Sequence, residues 1–514
     1  MTATTAPISA PRNVRWILLG VMLAMLLGML DNMIIGTAMP TIVGELGGLD
    51  RLSWVVSAYT LATAASTPIW AKLGDLFGRK PNFLTSIVIF LIGSGLSGAA
   101  QNMDQLIGFR VLQGIGAGGL AAGAFAIIGE LIPPRERAKY MGMTASVMAL
   151  ATIGGPLVGG LVTDHFGWRW AFYLNLPIGL IALVWCQLTL HLTAKRPNAK
   201  IDYLGAALLT VTISAIVLVA TWGGTQYAWG SPQVIITIAI AVLGLPAFLW
   251  SQTRAAEPII PLSLFANRNF TLTSVLSVMV GVAMFGAVSF LPLFQQTVQG
   301  ASASNSGLLL LPMMVPIIVV SQIAGRVMSK TGRYKVFPIL GGVLLTAGSI
   351  ALATVGTGTS RLESSIYMAL LGAGMGFLMQ MTVLIAQNSV QMKDIGAASG
   401  VSTLFRTLGG SFGVALFGAL FNRQITGALA GAGGPAETHG GHLDPTMLSN
   451  LPTVVRDAYL HGVASGINSI FTWAAVLCAL GLVAALFIVE VPLRQLGPPA
   501  GGAPAAPKET VSQS

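Results

Sequence analysis

Residues 16–39 read WILLGVMLAMLLGMLDNMIIGTAM. The hydrocarbon core of a bilayer takes about 20 apolar residues of helix, and this run is long enough to fill it. Asp31 interrupts it. An unpaired carboxylate at membrane depth costs roughly 2.5–3.5 kcal/mol on insertion scales, so Asp31 needs both a partner and a reason. The apolar stretch continues through Asp31 to Pro40 without a persuasive cleavage site, which favours a membrane span over a signal peptide.

The pattern recurs along the chain. Further spans are expected near 53–73, 81–100, 105–131, 138–162, 168–191, 203–222, 233–251, 270–294, 305–328, 336–356, 363–388, 395–421 and 463–489, which makes fourteen with the first. The totals agree: 514 residues, 54% hydrophobic, 9% charged and a mean hydropathy of +0.77. Soluble domains carry roughly 25% charged residues. A cytosolic enzyme, a nucleic-acid-binding protein and a disordered chain are excluded on that ground. Cys186 and Cys478 are the only cysteines. Each lies in an apolar run, with no metal spacing and no disulfide framework.

The basic residues test the count. The 27 Lys and Arg exceed the 17 Asp and Glu, for a formal charge of +10. If the N-terminus is cytoplasmic, twenty of the 27 fall in inner segments, from Arg12 and Arg15 through Lys72, Arg79, Lys80, Arg135, Arg137 and Lys139 to Lys195, Arg196, Arg494 and Lys508. Arg51, Arg169, Arg361, Arg423 and Arg456 fall outside, and Arg110 and Arg406 fall within spans. Positive residues gather on the cytoplasmic side of membrane proteins, so both termini, 1–15 and 490–514, are expected there. The tail from Gly497 is rich in Pro, Ala and Gly and reads as disordered. The outer loop at about 424–461 carries His439 and His442, which lack a third ligand and read as part of a solvated loop.

An internal repeat sets the architecture. AKLGDLFGRK at 71–80 and GRVMSKTGRY at 325–334 share a small residue, then Gly-Arg seven and eight places on, and each follows a span running inward. Two six-helix halves in the same orientation, 16–191 and 252–489, with two linker spans within 192–251, fit this spacing. Such halves place a substrate path at their interface near the midplane. The expected fold is an all-α polytopic membrane protein.

Five segments carry a resemblance. AKLGDLFGRK (71–80), RVLQGIGAGG (from Arg110), GGPLVGG (154–160), WRWAFYLNLPIG (168–179) and LDNMIIGTAMPTI (30–42) occur in order at spans 2, 4, 5, 6 and 1. Together they are similar to motifs of the major facilitator superfamily, in its 14-span multidrug:proton antiporter branch, although Ala71 stands where Gly is usual. The resemblance covers about residues 12–490. It implies proton transfer around the span 1 acid and the span 4 arginine, and an outward-facing state stabilised by the 2–3 loop network. It also implies that span 5 contacts the other half and bears on exchange rather than uptake.

The residues themselves allow more than one role. Span 1 runs outward and span 4 inward, so Asp31 and Arg110 reach similar depth. Their pairing reads as proton coupling, with a fixed structural ion pair and a substrate counter-ion as alternatives. Gly74, Asp75, Gly78, Arg79, Lys80 and Glu130 read as a cytoplasmic gate, with Asp75 facing the start of span 13 near Ile395 and Glu130 pairing with Arg79; topology charge alone is the other reading. Ser329 replaces the acid in the second half, so a weaker lock is expected there. Gly154, Gly155, Pro156, Gly159 and Gly160 mark a kinked, closely packed helix. Asn32, Gln113, Asn175, Gln295, Gln296, Gln380, Gln387 and Arg406 are candidates to line the path. Arg406 is expected to meet backbone carbonyls or polar side chains such as Gln380, Gln387 and Asn388, in a structural role before a substrate contact. The 21 methionines suit a promiscuous pocket.

No G-x-x-x-x-G-K-[ST] loop occurs, so an ATP-driven pump is excluded within this chain. The expected protein is not an enzyme and holds no cofactor or metal; the proton gradient drives it. It is a monomer in the bacterial cytoplasmic membrane, meeting lipid, protons and lipophilic small molecules but no nucleic acid. Export is favoured over an uptake symporter by GGPLVGG, and over a non-transporting scaffold or receptor by Asp31 and the loop motif. With one acid firmly inside a span, neutral or monocationic lipophiles are the expected cargo.

Overall fold

The computed structural model describes residues 14–47, 51–192, 200–223, 226–301, 306–431 and 452–493. The expectations placed on Arg12, Lys195, Arg196, His439, His442, Arg494, Lys508 and the tail lie outside these residues. The helices are α1 (Val14–Leu46), α2 (Leu52–Phe77), α3 (Arg79–Gly98), α4 (Met103–Leu131), α5 (Pro134–Phe166), α6 (Arg169–Tyr173), α7 (Asn175–Thr189), α8 (Tyr203–Trp222) and α9 (Pro232–Arg254). They continue as α10 (Arg268–Thr297), α11 (Ser306–Leu309), α12 (Leu311–Thr331), α13 (Val336–Leu352), α14 (Arg361–Asn388), α15 (Ile395–Gly431) and α16 (Thr453–Leu486).

Among the described residues twelve helical stretches, with α6 and α7 taken as one, are long and apolar enough to cross a membrane. The two remaining segments read as spans from the sequence are also helical. Both fall short for local reasons. α13 has 17 residues. α2 has 26 residues but is rich in Ser and Thr. Those hydroxyls are spent inside the bundle: Thr63 Oγ1 donates to Tyr59 O at 2.8 Å and Thr67 Oγ1 to Thr63 O at 2.6 Å, while Trp70 Nε1 reaches across to Ile115 O at 2.7 Å.

The repeat is visible in packing. α4 is pressed between α2 and α3, and α14 between α12 and α13. Glycine permits both approaches. A Cβ at Gly114 would stand 2.5 Å from Tyr59 O, and one at Gly116 2.4 Å from Phe90 N. At the matching places a Cβ on Gly372 would stand 2.1 Å from Met313 O, and one on Gly374 2.5 Å from Leu345 N. The two loops match as well. Gly78 (φ 102°) ends α2 and Gly332 (φ 70°) ends α12, in backbone space that favours glycine. α8 and α9 pair with each other, and α8 also packs on α2 and α15. The first group of helices meets the second mainly through α5 on α12 and α2 on α15.

The GGPLVGG face turns out to serve α1, within its own half. A Cβ on Gly155 would lie 2.3 Å from Met33 Cβ, and one on Gly159 2.3 Å from Thr37 Oγ1. Gly154 and Gly160 have nothing within 4 Å of that position. α5 runs unbroken through Pro156. Contact of α5 with the other half comes nearer its start, where a Cβ on Gly142 would sit 3.1 Å from Ser321 O.

Candidate functional site

Asp31 is fully buried between α1, α4 and α7 and is held on every side. Arg110 Nη1 donates to its Oδ2 at 2.5 Å, Gln113 Nε2 to its Oδ1 at 2.8 Å and Asn175 Nδ2 to its Oδ1 at 2.7 Å. Helical spacing brings Arg110 and Gln113 onto one face of α4, and Arg110 Nη1 also donates to Gln113 Oε1 at 2.8 Å. Asn175, at the first turn of α7, additionally donates to Ser94 Oγ at 2.9 Å. Charge-assisted bonds of this kind are the strong ones, and a buried carboxylate requires them. Gln113 and Asn175 thus hold the acid and do not line a path.

Tyr59, which the sequence did not single out, closes this cluster. Its ring lies 4.0 Å from the Arg110 guanidinium carbon, and its hydroxyl donates to Gly28 O at 2.9 Å. The other side of Tyr59 lines a cavity of about 360 Å³ between the two halves. Six methionines (Met25, Met29, Met33, Met148, Met284 and Met314) contribute to its wall, with Phe125 and Phe285. Asn32 and Arg406 are the two candidates from the sequence that reach it.

Arg406 does not meet Gln380, Gln387 or Asn388. Among the described residues nothing hydrogen-bonds to its guanidinium, whose carbon is 5.9 Å from the Phe125 ring centre. Gln387 is committed elsewhere, to Phe125 O (3.1 Å) and Ser399 Oγ (2.7 Å). Gln380 and Gln295 are buried away from the cavity, and Gln295 Nε2 lies 3.5 Å from Met368 Sδ. Gln296 is half-buried on α10, also off the cavity wall.

The bundle is tied shut at the end carrying residues 71–80. Asp75 accepts from Gly396 N (3.2 Å) and Ala397 N (2.9 Å) at the first turn of α15, where free N–H groups favour an anion. Arg79 pairs with Asp75 at 3.1 Å and with Glu130 at 3.2 Å, and donates to Ala126 O. Gly74 lets Asn82 approach: a Cβ there would lie 3.2 Å from its Nδ2. Lys80 stands outside this network, donating to Gln187 O at 2.8 Å. In the second half Ser329 donates within its own helix, to Arg326 O at 2.8 Å.

Sequence reasoning missed Arg137. Read as a topology charge, it is 1% exposed and donates to Gly129 O at 2.5 Å and across the halves to Gln387 Oε1 at 3.0 Å. Burial, and next the Arg79 charge, lower it to about 9, so it stays charged at neutral pH. At the opposite end the WRWAFYLNLPIG segment forms a clamp. Glu45 accepts from Trp168 Nε1 at 2.7 Å and from Arg169, and Arg169 lies over the Trp168 ring at 4.4 Å. The Arg169 bond, then the Trp168 bond, hold the Glu45 carboxyl below its ordinary range.

Known proteins resemble this chain in sequence and in fold. Residues 21–414 match the family described as the Major Facilitator Superfamily. An uncharacterized MFS-type transporter of Mycobacterium tuberculosis is 36% identical over 512 residues, 96% of this chain and 74% of that protein. Multidrug resistance protein 3 of Bacillus subtilis is 33% identical over 500 residues, 95% of this chain and 97% of that protein. Multidrug transporter protein MdtP, also of Bacillus subtilis, is 38% identical over 405 residues, covering 79% and 75%. Among solved structures, the proton:xylose symporter XylE superposes with a TM-score of 0.60 at 15% identity, covering 91% of this chain and 95% of that one, a likeness of fold.

Proposed function

The chain belongs to the major facilitator superfamily, and from its interior geometry we propose that it is a proton-driven exporter of lipophilic small molecules. It is a transporter and not an enzyme. The names of its relatives, multidrug transporters of Bacillus subtilis, support export of varied cargo. The methionine-rich cavity fits that reading, because unbranched, polarisable side chains repack around different shapes.

The carrying observation is the fully buried Asp31 with its three donors. Ionised, the carboxylate fixes α1 to α4 and α7. Protonated, it no longer attracts Arg110 as an ion, and α1 is released from that bond. Removing one member of a buried ion pair costs about 3–5 kcal/mol, enough to move a two-state equilibrium. Asn32, the next residue, lines the cavity, so a shift of α1 is felt by bound cargo. Protonation from the outside and cargo release to the outside then alternate.

In this reading the described state faces outward. Asp75, Arg79, Glu130, Arg137 and Gln387 form the closed cytoplasmic gate, and Lys80 serves as topology charge. α2 and α13 complete fourteen crossings, with both termini cytoplasmic in the inner membrane of a bacterium and the monomer as the working unit. The proton gradient supplies the drive without a cofactor. The test is Asp31→Asn in everted vesicles. Loss of acid-driven uptake of a lipophilic dye, with the protein still folded and inserted, is expected. Wild-type uptake by the variant would overturn the mechanism.

A further inference from the structure

The central cavity contains a charge with nothing to balance it. Arg406 projects from α15 into the wall, half-buried, and among the described residues no carboxylate and no hydrogen-bond acceptor meets its guanidinium. Its one neighbour of note is the Phe125 ring at 5.9 Å, the outer limit at which a ring face attracts a cation. The buried acid of the first half is unavailable: Asp31 lies behind Tyr59 and is already bound by Arg110, Gln113 and Asn175.

A second orphan lies beside it. Thr403 is one turn earlier on the same face of α15, 7% exposed, and its Oγ1 has no hydrogen-bond partner. It also lines the cavity, as does Thr407, whose hydroxyl is used up on Thr403 O at 3.0 Å. Across the cavity Asn32 Oδ1 is buried without a partner. A guanidinium fork with a hydroxyl one turn away suits an oxyanion: a carboxylate takes two parallel N–H bonds from Arg and a third from a hydroxyl. Around this polar corner the wall is mostly apolar, with the hydroxyls of Thr63, Thr67, Thr152 and Ser289 set among methionine and aromatic side chains.

We propose that the cavity selects lipophilic monoanions of the carboxylate type, with Arg406 as the counter-ion and Thr403 as a supporting donor. This rests on the export reading and sharpens it to a cargo class. The expectation of neutral or monocationic cargo took Asp31 as the charge a substrate would meet, whereas the charge facing the cavity is positive. A cationic drug meets repulsion there and, among the described lining residues, finds no carboxylate to offset it.

Three pyrene probes of like bulk separate the outcomes: 1-pyrenebutyrate (anion), 1-pyrenebutanol (neutral) and 4-(1-pyrenyl)butyl-trimethylammonium (cation). Their affinities for the purified full-length chain are read by energy transfer from tryptophan. The wild type is expected to bind the anion tightest and the cation weakest. Arg406→Gln is expected to lower the anion-to-neutral affinity ratio about thirtyfold, equivalent to ~2 kcal/mol. Arg406→Lys restores part of that ratio, and Thr403→Val lowers it less than Arg406→Gln does. Equal or tighter binding of the cation by the wild type, or an unchanged ratio in Arg406→Gln, overturns the proposal. Should Arg406→Gln fail to fold, the wild-type ranking and Thr403→Val decide. The same probes in energised everted vesicles separate the two readings. If no probe moves with the proton gradient, the export reading fails; if probes move but binding ignores charge, only the anion selectivity fails.

Discussion

Replacing Asp75 by Asn keeps the shape of the side chain and removes its charge. In the closed state that carboxylate accepts two backbone N–H bonds from α15, at 3.2 and 2.9 Å, and an Arg79 bond at 3.1 Å. An amide has one acceptor oxygen, so it keeps one of the two backbone bonds at neutral strength and turns an N–H group toward the other. Losing a charge-assisted bond costs about 1.5–3 kcal/mol, and losing the anion at a helix N-terminus costs a further ~0.3–1 kcal/mol. Arg79 keeps Glu130 and Ala126 O, which limits the damage. When that end opens, Asp75 is solvated and the substitution costs little. The closed state therefore loses about 2–3 kcal/mol relative to the open one, a shift of roughly 30- to 150-fold. Spin labels at the exposed Lys139 and Lys393, in a background with Cys186 and Cys478 replaced, report the separation of the halves at this end. Double electron–electron resonance should show a longer-distance population growing from minor to dominant. A distribution indistinguishable from the parent protein would refute the assignment of Asp75 as the tie between α2 and α15.

The glycines of α5 should split by address. Gly155→Ala and Gly159→Ala drive a methyl into Met33 and Thr37 of α1 and should destabilise by about 1–3 kcal/mol, read as a lower melting temperature by fluorescence-detected size exclusion. Gly154→Ala and Gly160→Ala, with open space around them, should melt no lower than the parent. The Glu45 clamp should be sensitive to acid. Its folded-state pKa lies below the unfolded one, so its stabilisation is present above the unfolded value and is lost as pH falls through the folded value. Melting temperature should therefore drop on acidification below the ordinary carboxylate range, and Glu45→Gln should flatten that dependence.

The apolar runs and the loop charges made the helices legible, because each depends on local composition. Even α2, whose hydropathy is diluted by Ser and Thr, was visible from its flanking charges and from the length of the run. The match of 71–80 with 325–334 pointed to the repeat, and the second pair of glycine-rich segments, in α4 and α14, carries it further. Side-chain partners were legible only where chemistry forced them. Asp31 needed a donor, and Arg110 was the sole cation at its depth in that half. Gln113 and Asn175 were recognised as polar residues in spans but assigned to the wrong task, since nothing along the chain says which face of a helix meets the acid. Arg137 lay among other basic residues at the start of α5, and its burial follows from α14 arriving from the other half. Arg406 was given carbonyl or amide partners because buried guanidinium groups ordinarily find them; among the described residues the cavity leaves it without one.

The Tyr59 ring, seated against Arg110 on one side and facing the cavity on the other, has a kinetic consequence. In the proposed cycle cargo in the cavity and a proton on Asp31 would stand in separate compartments with Tyr59 in the wall between them, so neither would displace the other by direct contact. A tightly wedged ligand would stall the cycle without saturating the acid, and its inhibition should be noncompetitive with respect to protons. Widening that wall, as in Tyr59→Ala, would merge the compartments and let protons slip through without cargo.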